Sequence, residues 1–254
     1  MGGRSEHPER PILRCLRISL VRIQAISLNY RDILVTNNDP NYIVPAKPNL
    51  IPCCDGAGIL ESTGPNSIWQ PGDRVFFHPN TWHTGSDPRD FDIFKTLRGG
   101  DVDGTLQKSV VADDDRLIRA PEEGLTMEEG STIYTAGVTA WKCVEVLPPQ
   151  LGATVIATSS SDEKLQVAKQ LGAKHLINYR KTPDWATEVL TVTGGKVQGI
   201  LGAGSREMAQ ELATFMETHQ IHPPIAQTFA FEQADQALSA LEQLTSPGKI
   251  VVKV

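Results

Sequence analysis

The chain has 254 residues, 40% of them hydrophobic and 21% charged, and a formal net charge of −6. That balance belongs to a globular protein, and an acidic chain without a basic run excludes a nucleic-acid binder. Arg14, Arg17 and Arg22 break up the apolar stretch Ile12 to Leu28, so no segment is expected to cross a membrane.

The opening residues, MGGRSEHPERP, lack the apolar centre of a secretory signal. The four cysteines contain no C-x-x-C spacing, which argues against a disulfide framework and a zinc knuckle and for a reducing cytoplasm. From Leu16 to Leu28 apolar and polar residues alternate as in a strand, with a change of phase at Leu20–Val21 that predicts a bulge. Ser27 to Leu34 sets polar groups into an apolar frame. Asn37 to Pro52 is a proline-rich loop. Asp55 to Leu60 reads as a tight turn entering a strand, and Gln70 to Val75 as a turn leading into the apolar run Val75 to Phe77. Pro79 to Gly104 is long, polar and irregular. Gly104 to Ala112 and Arg116 to Ile118 read as strands, Ser131 to Val146 as a helix stopped by Pro148 and Pro149.

Ala153 to Tyr179 reads as strand, loop, helix, strand. Ser160 and Glu163 have capping-box spacing. Leu165, Ala168 and Leu171 recur at helical intervals, and Gly172 comes next, where a left-handed residue is wanted. A parallel βαβ unit binds its ligand beyond the carboxyl ends of its strands, here Thr158 to Lys164. Beyond it come a surface helix over Lys181 to Val192, a turn at Gly194-Gly195, a short strand over Val197 to Leu201 and a helix over Ser205 to His219. Strand, helix and strand then close the chain over Ile225 to Phe231, Glu232 to Leu244 and Lys249 to Val254.

Six stretches in order carry a resemblance: Leu28-Asn29-Tyr30-Arg31-Asp32, Asp55-Gly56-Ala57-Gly58, Pro71-Gly72-Asp73-Arg74-Val75, Gly137-Val138-Thr139-Ala140-Trp141, the βαβ stretch through Tyr179, and Gly248 to Val252. Together they resemble the medium-chain dehydrogenase/reductase superfamily, in its zinc-free, quinone-oxidoreductase-like branch. The resemblance implies an α/β protein with a GroES-like β-barrel catalytic domain over 1–140, an incomplete Rossmann cofactor domain over 141–215, and a return to the catalytic domain over 216–254. A strand, glycine-rich turn and helix usual before Ala153 are missing, roughly twenty residues of a βαβ unit. A second gap falls near Gln198-Gly199, and the N-terminus enters close to the first barrel strand. Zinc-dependent relatives place a cysteine near Asn29 and Gly-His-Glu near Asp55; this chain has neither, and His78 and His83 have no evident third ligand. No metal is therefore expected.

By resemblance, Asn29 and Thr139 contact the nicotinamide and Tyr30 lines the substrate cleft. Ser159, Ser160 and Lys164, hydroxyls and a cation where an NAD site wants an acid, suit the 2′-phosphate of NADPH; equally, Ser160 caps its helix and Lys164 is solvated. Tyr179 lies against the adenosine or is a half-buried strand residue. Gly204 and Ser205 form either a substitute pyrophosphate contact or a plain helix entry. Asp32 is expected to pair with Arg31, and Asp73 with Arg74. Trp141 is expected in the core and Cys53 and Cys54 in packing, with Tyr30 and Tyr134 as candidate proton donors. The implied function is NADPH-dependent reduction of an activated C=C or C=O bond of a small molecule (enone, quinone or enoyl), in a homodimer. The alternative is a non-enzymatic GroES-like remnant that binds a small molecule or a partner.

Overall fold

The computed structural model describes residues 17–40, 42, 46–80, 98–144 (backbone alone for 142–144), 156–170, 173–195, 204–243 and 247–254. The chain divides into two compact units, Met1–Thr139 with Ala203–Val254, and Ala140–Gly202.

The first unit is built on a seven-stranded sheet. Its centre is β1 (Ile18–Ser27), whose β-branched alternation buries Val21, Ile23 and Ala25 on the core side. β1 pairs antiparallel with β2 (Asp55–Thr63), and the register slips between Leu20 and Val21 where the sequence phase changes. β2 continues through β3 (Arg74–Phe77) to β5 (Leu117–Arg119), while β4 (Ser109–Asp113) also pairs with β1. Val21, Ile23, Leu28, Leu60, Val75, Phe77, Leu117 and Val252 share one core. Each such side chain withdrawn from water contributes about 1.5–3 kcal/mol against chain entropy.

Two connections bring distant segments to the end of β1. The short helix α1 (Tyr30–Thr36) starts directly after β1 with Asn29 as its N-cap. Far along the chain, β9 (Lys249–Lys253) pairs antiparallel with β1, and parallel with β8 (Ile225–Ala230). The Leu28 amide donates to the Ile250 carbonyl at 2.9 Å, which seats the start of β9 beside the start of α1.

Thr126 and Glu129 form a reciprocal capping box on the one-turn helix α2 (Met127–Gly130). A π-helical turn, Ile133–Val138, then runs into α3 (Thr139–Val144). The sequence predicted one continuous helix; the wider turn is the difference, and such turns concentrate at functional sites. Further on, α6 (Arg206–His219; α4 and α5 belong to the second unit) buries Met208, Ala209, Leu212, Ala213 and Met216 along one face. A short 3₁₀ turn and α7 (Ala234–Gln243) join β8 to β9. Gly204, at the entry of α6, has no room for a side chain: a Cβ there would lie 2.2 Å from Val138 Cγ1.

The second unit contains β6 (Ile156–Ser159), α4 (Asp162–Gln170), β7 (His175–Asn178) and α5 (Trp185–Val192). β6 and β7 are parallel, with Ser159 opposite Asn178. Among the described residues Leu165 and Ile177 are its buried apolar ones, and α5 buries none, as its reading as a surface helix requires.

Three further sequence expectations change. The N-terminus of α4 is capped one residue later than expected, by Ser161, whose hydroxyl accepts from the Lys164 amide at 3.4 Å and donates to Glu163. The strand therefore ends at Ser159 and leaves Ser160 before the cap rather than in it. Asp73 and Arg74 do not pair: Asp73 binds Arg119 at 3.1 Å, and the Arg74 guanidinium donates to the carbonyls of Pro121, Glu122 and Leu125. Asp73 closes the turn before β3, where its carboxylate also accepts from the Gln70 amide at 3.0 Å, while Arg74 opens the strand. Trp141 is half-buried rather than a core residue. The expected strand over 197–201, together with Gly172 and His83, lies outside the described residues.

Candidate active site

In the first unit, the end of β1, the starts of α1, β2 and β9, and the π-helical turn bring one polar cluster together. Asn29 is buried, and its amide is used at both ends. Its Nδ2 donates to Asp55 Oδ2 at 2.9 Å, and its Oδ1 accepts from Lys249 Nζ at 2.5 Å. Asp55 is wholly buried; its Oδ1 accepts from Thr135 Oγ1 at 2.7 Å and its Oδ2 from the Thr135 amide at 3.3 Å. The order Lys249–Asn29–Asp55–Thr135 is thus a continuous chain from a cation to a carboxylate and a hydroxyl.

A second carboxylate supports it. Asp32 is wholly buried and accepts from the Asn29 backbone amide at 2.9 Å, completing the α1 capping box. Burial pushes its pKa up to about 6, against the pull of Arg31 and the Asn29 amide. Arg31 pairs with it at 3.2 Å as expected, and also donates to Tyr42 Oη at 2.7 Å and to the Gly99 carbonyl at 2.8 Å. Cys53 and Cys54 are free and buried. Burial, with Asp55 beside it, pushes the Cys54 thiol up to about 12, so Cys54 is no thiolate nucleophile. Cys53 holds a left-handed backbone (φ +69°), and its carbonyl accepts from the Thr105 amide at 2.9 Å. Gly104 lies against this bend, where a Cβ would meet the Cys53 carbonyl oxygen at 2.0 Å.

Tyr30, directly after Asn29, is 54% exposed and presents its ring at the surface. Thr139 is half-buried where the π-helical turn becomes α3. Tyr134 is buried; its hydroxyl donates to the Gly204 carbonyl and accepts from Asn80 Nδ2 at 2.8 Å. Burial raises its pKa. Its proton is committed to a structural contact, so Tyr134 is a latch between the π-helical turn and the entry of α6 and not a proton donor. Gly204 and Ser205 are both buried, and Ser205 Oγ accepts from the Met208 amide at 3.3 Å as the α6 cap.

In the second unit, the carboxyl ends of β6 and β7 carry the remaining candidates. Ser159 Oγ accepts from the Ser161 amide at 3.2 Å, and the Tyr179 amide donates to the Ser159 carbonyl at 3.1 Å. Ser160 and Lys164 are half-buried, and Tyr179 is 43% exposed. Two carboxylates stand near: Glu163, which accepts from the Ser161 hydroxyl, and Asp162, taken up by Lys181 and by Asn178 Nδ2 at 2.6 Å. These contacts hold Asp162 below the ordinary carboxylate range. Among the described residues, no group of three or more His, Cys, Asp or Glu side chains converges as a metal site would require.

Of the residues picked out in the sequence, Asn29 stands inside the polar cluster with Tyr30 beside it, and Ser159, Ser160, Lys164 and Tyr179 gather at the tip of β6. Sequence reasoning missed Asp55, Thr135 and Lys249 as one network. No local signal joins them, because 80 residues separate Asp55 from Thr135 and 220 separate Asn29 from Lys249.

Comparison with known proteins matches residues 18–122 to the alcohol dehydrogenase GroES-like domain, and residues 144–217 and 200–252 to two zinc-binding dehydrogenase models. A zinc-type alcohol dehydrogenase-like protein of Schizosaccharomyces pombe is 30% identical over 317 residues, covering 92% of this chain and 90% of that protein. A 2-haloacrylate reductase of a Burkholderia species is 27% identical, covering 69% of this chain and 54% of that protein. Among solved structures, an alcohol dehydrogenase described as putative, from Sinorhizobium meliloti 1021, superposes with a TM-score of 0.73 at 25% identity, over 98% of this chain and 93% of that one. The chain belongs to the medium-chain dehydrogenase/reductase superfamily, alcohol dehydrogenase-like oxidoreductases that work with NAD(P). Its fold is α/β, a GroES-like domain joined to a Rossmann-type domain. Among the described residues, no helix is long and apolar enough to cross a membrane.

Proposed function

We propose that the chain is a zinc-free, NADPH-dependent reductase of an activated C=C or C=O bond in a small molecule of the enone, quinone or enoyl type. The observation that carries the cofactor choice is the tip of β6. Ser159 and Ser160 stand where a ribose-binding acid belongs in an NAD site, Lys164 comes one helical turn on, and the neighbouring acids are already engaged, Asp162 by Lys181 and Asn178 and Glu163 by Ser161. Hydroxyls and an ammonium suit a phosphate dianion; a carboxylate would repel it. Tyr179 offers an exposed ring for the adenosine. Gly204 and Ser205 serve the helix entry in this reading, because their polar groups are committed internally.

The zinc-free reading rests on the donor set. Asn29 and Asp55 are tied to Lys249 and Thr135, so a cation already ends the chain of contacts in which a metal would need ligands. When bound, a dihydronicotinamide supplies the hydride. Tyr30 and Thr139 hold and orient the reacting groups, with Asn29 fixed beside Tyr30 by its contacts to Asp55 and Lys249, and positioning is most of what hydride transfer asks of a protein. The Burkholderia relative, whose name gives reduction of a 2-haloacrylate, favours a conjugated substrate. We place the enzyme in the cytoplasm, in keeping with the free Cys53 and Cys54 thiols, and as a homodimer.

A second reading has its own observation. The alignment with the S. pombe relative runs over 317 positions, more than the 254 residues of this chain, so that relative has segments without a counterpart here. The sequence has the eleven residues 145–155 between α3 and β6, against the roughly twenty of half a βαβ unit. On this reading the cofactor domain is incomplete and the chain is a GroES-like module that binds a small molecule or a partner.

Fluorescence titration with NADPH separates the two. Saturable binding with energy transfer from tryptophan supports the reductase. The absence of any signal or thermal shift at millimolar NADPH leaves the binding module.

A further inference from the structure

We propose that Lys249 is the oxyanion-binding group of the active site and that Asn29 is its positioning residue. Lys249 opens β9 and is half-buried. Its ammonium donates to Asn29 Oδ1 at 2.5 Å, and among the described residues it has no ion pair. An ammonium withdrawn from water is normally matched by a carboxylate. Here the direct partner is a neutral amide, and the nearest carboxylates are one layer away. Asp55 is reached through Asn29 Nδ2, and Asp32 feels the Lys249 charge without touching it. The amide cannot turn, because Asp55 holds its nitrogen and Asp32 holds its backbone. Lys249 therefore stands on a rigid support with two of its three N–H groups unclaimed by the described residues. That is a preorganised donor for an anionic oxygen. It also reassigns Asn29, whose side chain is already used at both ends and cannot be the main contact for a ligand.

The identity of the anion rests on the reductase reading. When a hydride adds with its electron pair to the β-carbon of a conjugated C=C–C=O group, the C=C pair shifts to the bond beside the carbonyl carbon. The C=O π pair moves onto oxygen, giving an enolate. Lys249 hydrogen-bonds that oxygen, and the enolate then takes one proton from water at its α-carbon. With an isolated carbonyl, the hydride adds to the carbonyl carbon and the alkoxide takes a proton from the ammonium, which water restores. The oxidised partner is the dihydronicotinamide in both cases.

The test uses 4-nitrophenolate, a coloured aromatic oxyanion, titrated into the full chain without nucleotide. Wild type should bind it saturably and shift the phenol–phenolate equilibrium towards phenolate. Lys249→Met should weaken binding by about tenfold or more, and Lys249→Arg by no more than about threefold, because the charge is kept. Asn29→Ala, which unties the ammonium, should fall between them. Circular dichroism and melting temperature check that each variant is folded. Equal affinity in wild type and Lys249→Met, or no saturable binding to wild type, overturns the assignment. A second arm tracks NADPH oxidation with 1,4-naphthoquinone. Lys249→Met should lose roughly 10²-fold in kcat with NADPH affinity unchanged; an unchanged kcat overturns the assignment while leaving the reductase standing. Lys249-dependent phenolate binding in a chain that binds no NADPH keeps the oxyanion site and removes the reductase.

Discussion

Thr135 donates its hydroxyl to Asp55 at 2.7 Å although 80 residues separate them. This contact ties the π-helical turn to the start of β2 and fixes the carboxylate that in turn fixes Asn29. Replacing Asp55 with Ala leaves the Asn29 amide and the Thr135 hydroxyl without their shared acceptor and loosens the Asn29 side chain that receives Lys249. The expected loss is about 3–5 kcal/mol, read as a shift of the urea midpoint. A loss under about 0.5 kcal/mol, the range of an unremarkable surface change, would show that the network is not part of the folded core.

Asp32 makes stability depend on pH. Its folded pKa, about 6, lies above the ordinary value of 3.8 because burial disfavours the ionised form. The native state therefore holds the proton more tightly than the unfolded chain. The contribution is complete below pH 4 and is lost as pH rises through about 6. Its size is on the order of 3 kcal/mol at about 1.4 kcal/mol per unit. Asp32→Asn removes the titration, so unfolding free energies of wild type minus variant should fall between about pH 4 and 7. A difference that stays flat across that window contradicts the raised pKa.

Tyr134 should matter for stability and not for proton supply. Tyr134→Phe removes the donor to the Gly204 carbonyl and the acceptor for Asn80, both buried. The cost should be about 1–3 kcal/mol. The alkaline limb of the pH–rate profile should not move; its disappearance would restore Tyr134 as a proton donor.

Gly104→Ala probes the strained bend at Cys53. The added Cβ would overlap the carbonyl oxygens of Cys53 and Pro52 at 2.0 and 2.1 Å, and both are backbone atoms that cannot step aside. The loss should exceed about 3 kcal/mol, large for one methyl group. Thermal melting decides it, and a near-native melting temperature would mean that the bend relaxes.

Lys164 sets the nucleotide preference in the proposed function. Lys164→Ala should weaken NADPH by about tenfold, the order of one charge-assisted hydrogen bond, and leave NADH nearly unchanged. Equal weakening of the two nucleotides by isothermal titration would remove Lys164 from the 2′-phosphate.

Local periodicity determined much of this protein. The alternation in Leu16 to Leu28, its phase slip at Leu20–Val21, and the strand–helix–strand order of the βαβ stretch arise from side-chain direction over a few residues, which the chain carries within itself. The six ordered motifs fixed the family for the same reason: each is a turn or an element end with its own local chemistry. Local rules also missed by small steps, as when Ser161 and not Ser160 caps α4, because a one-residue difference in where the strand ends is settled by pairing with β7. The active-site network was of another kind. Asn29, Asp55, Thr135 and Lys249 meet only because β9 returns to pair with β1 and the π-helical turn faces the start of β2. Those pairings depend on the burial of a core shared by residues from 21 to 252, and no window of sequence contains them.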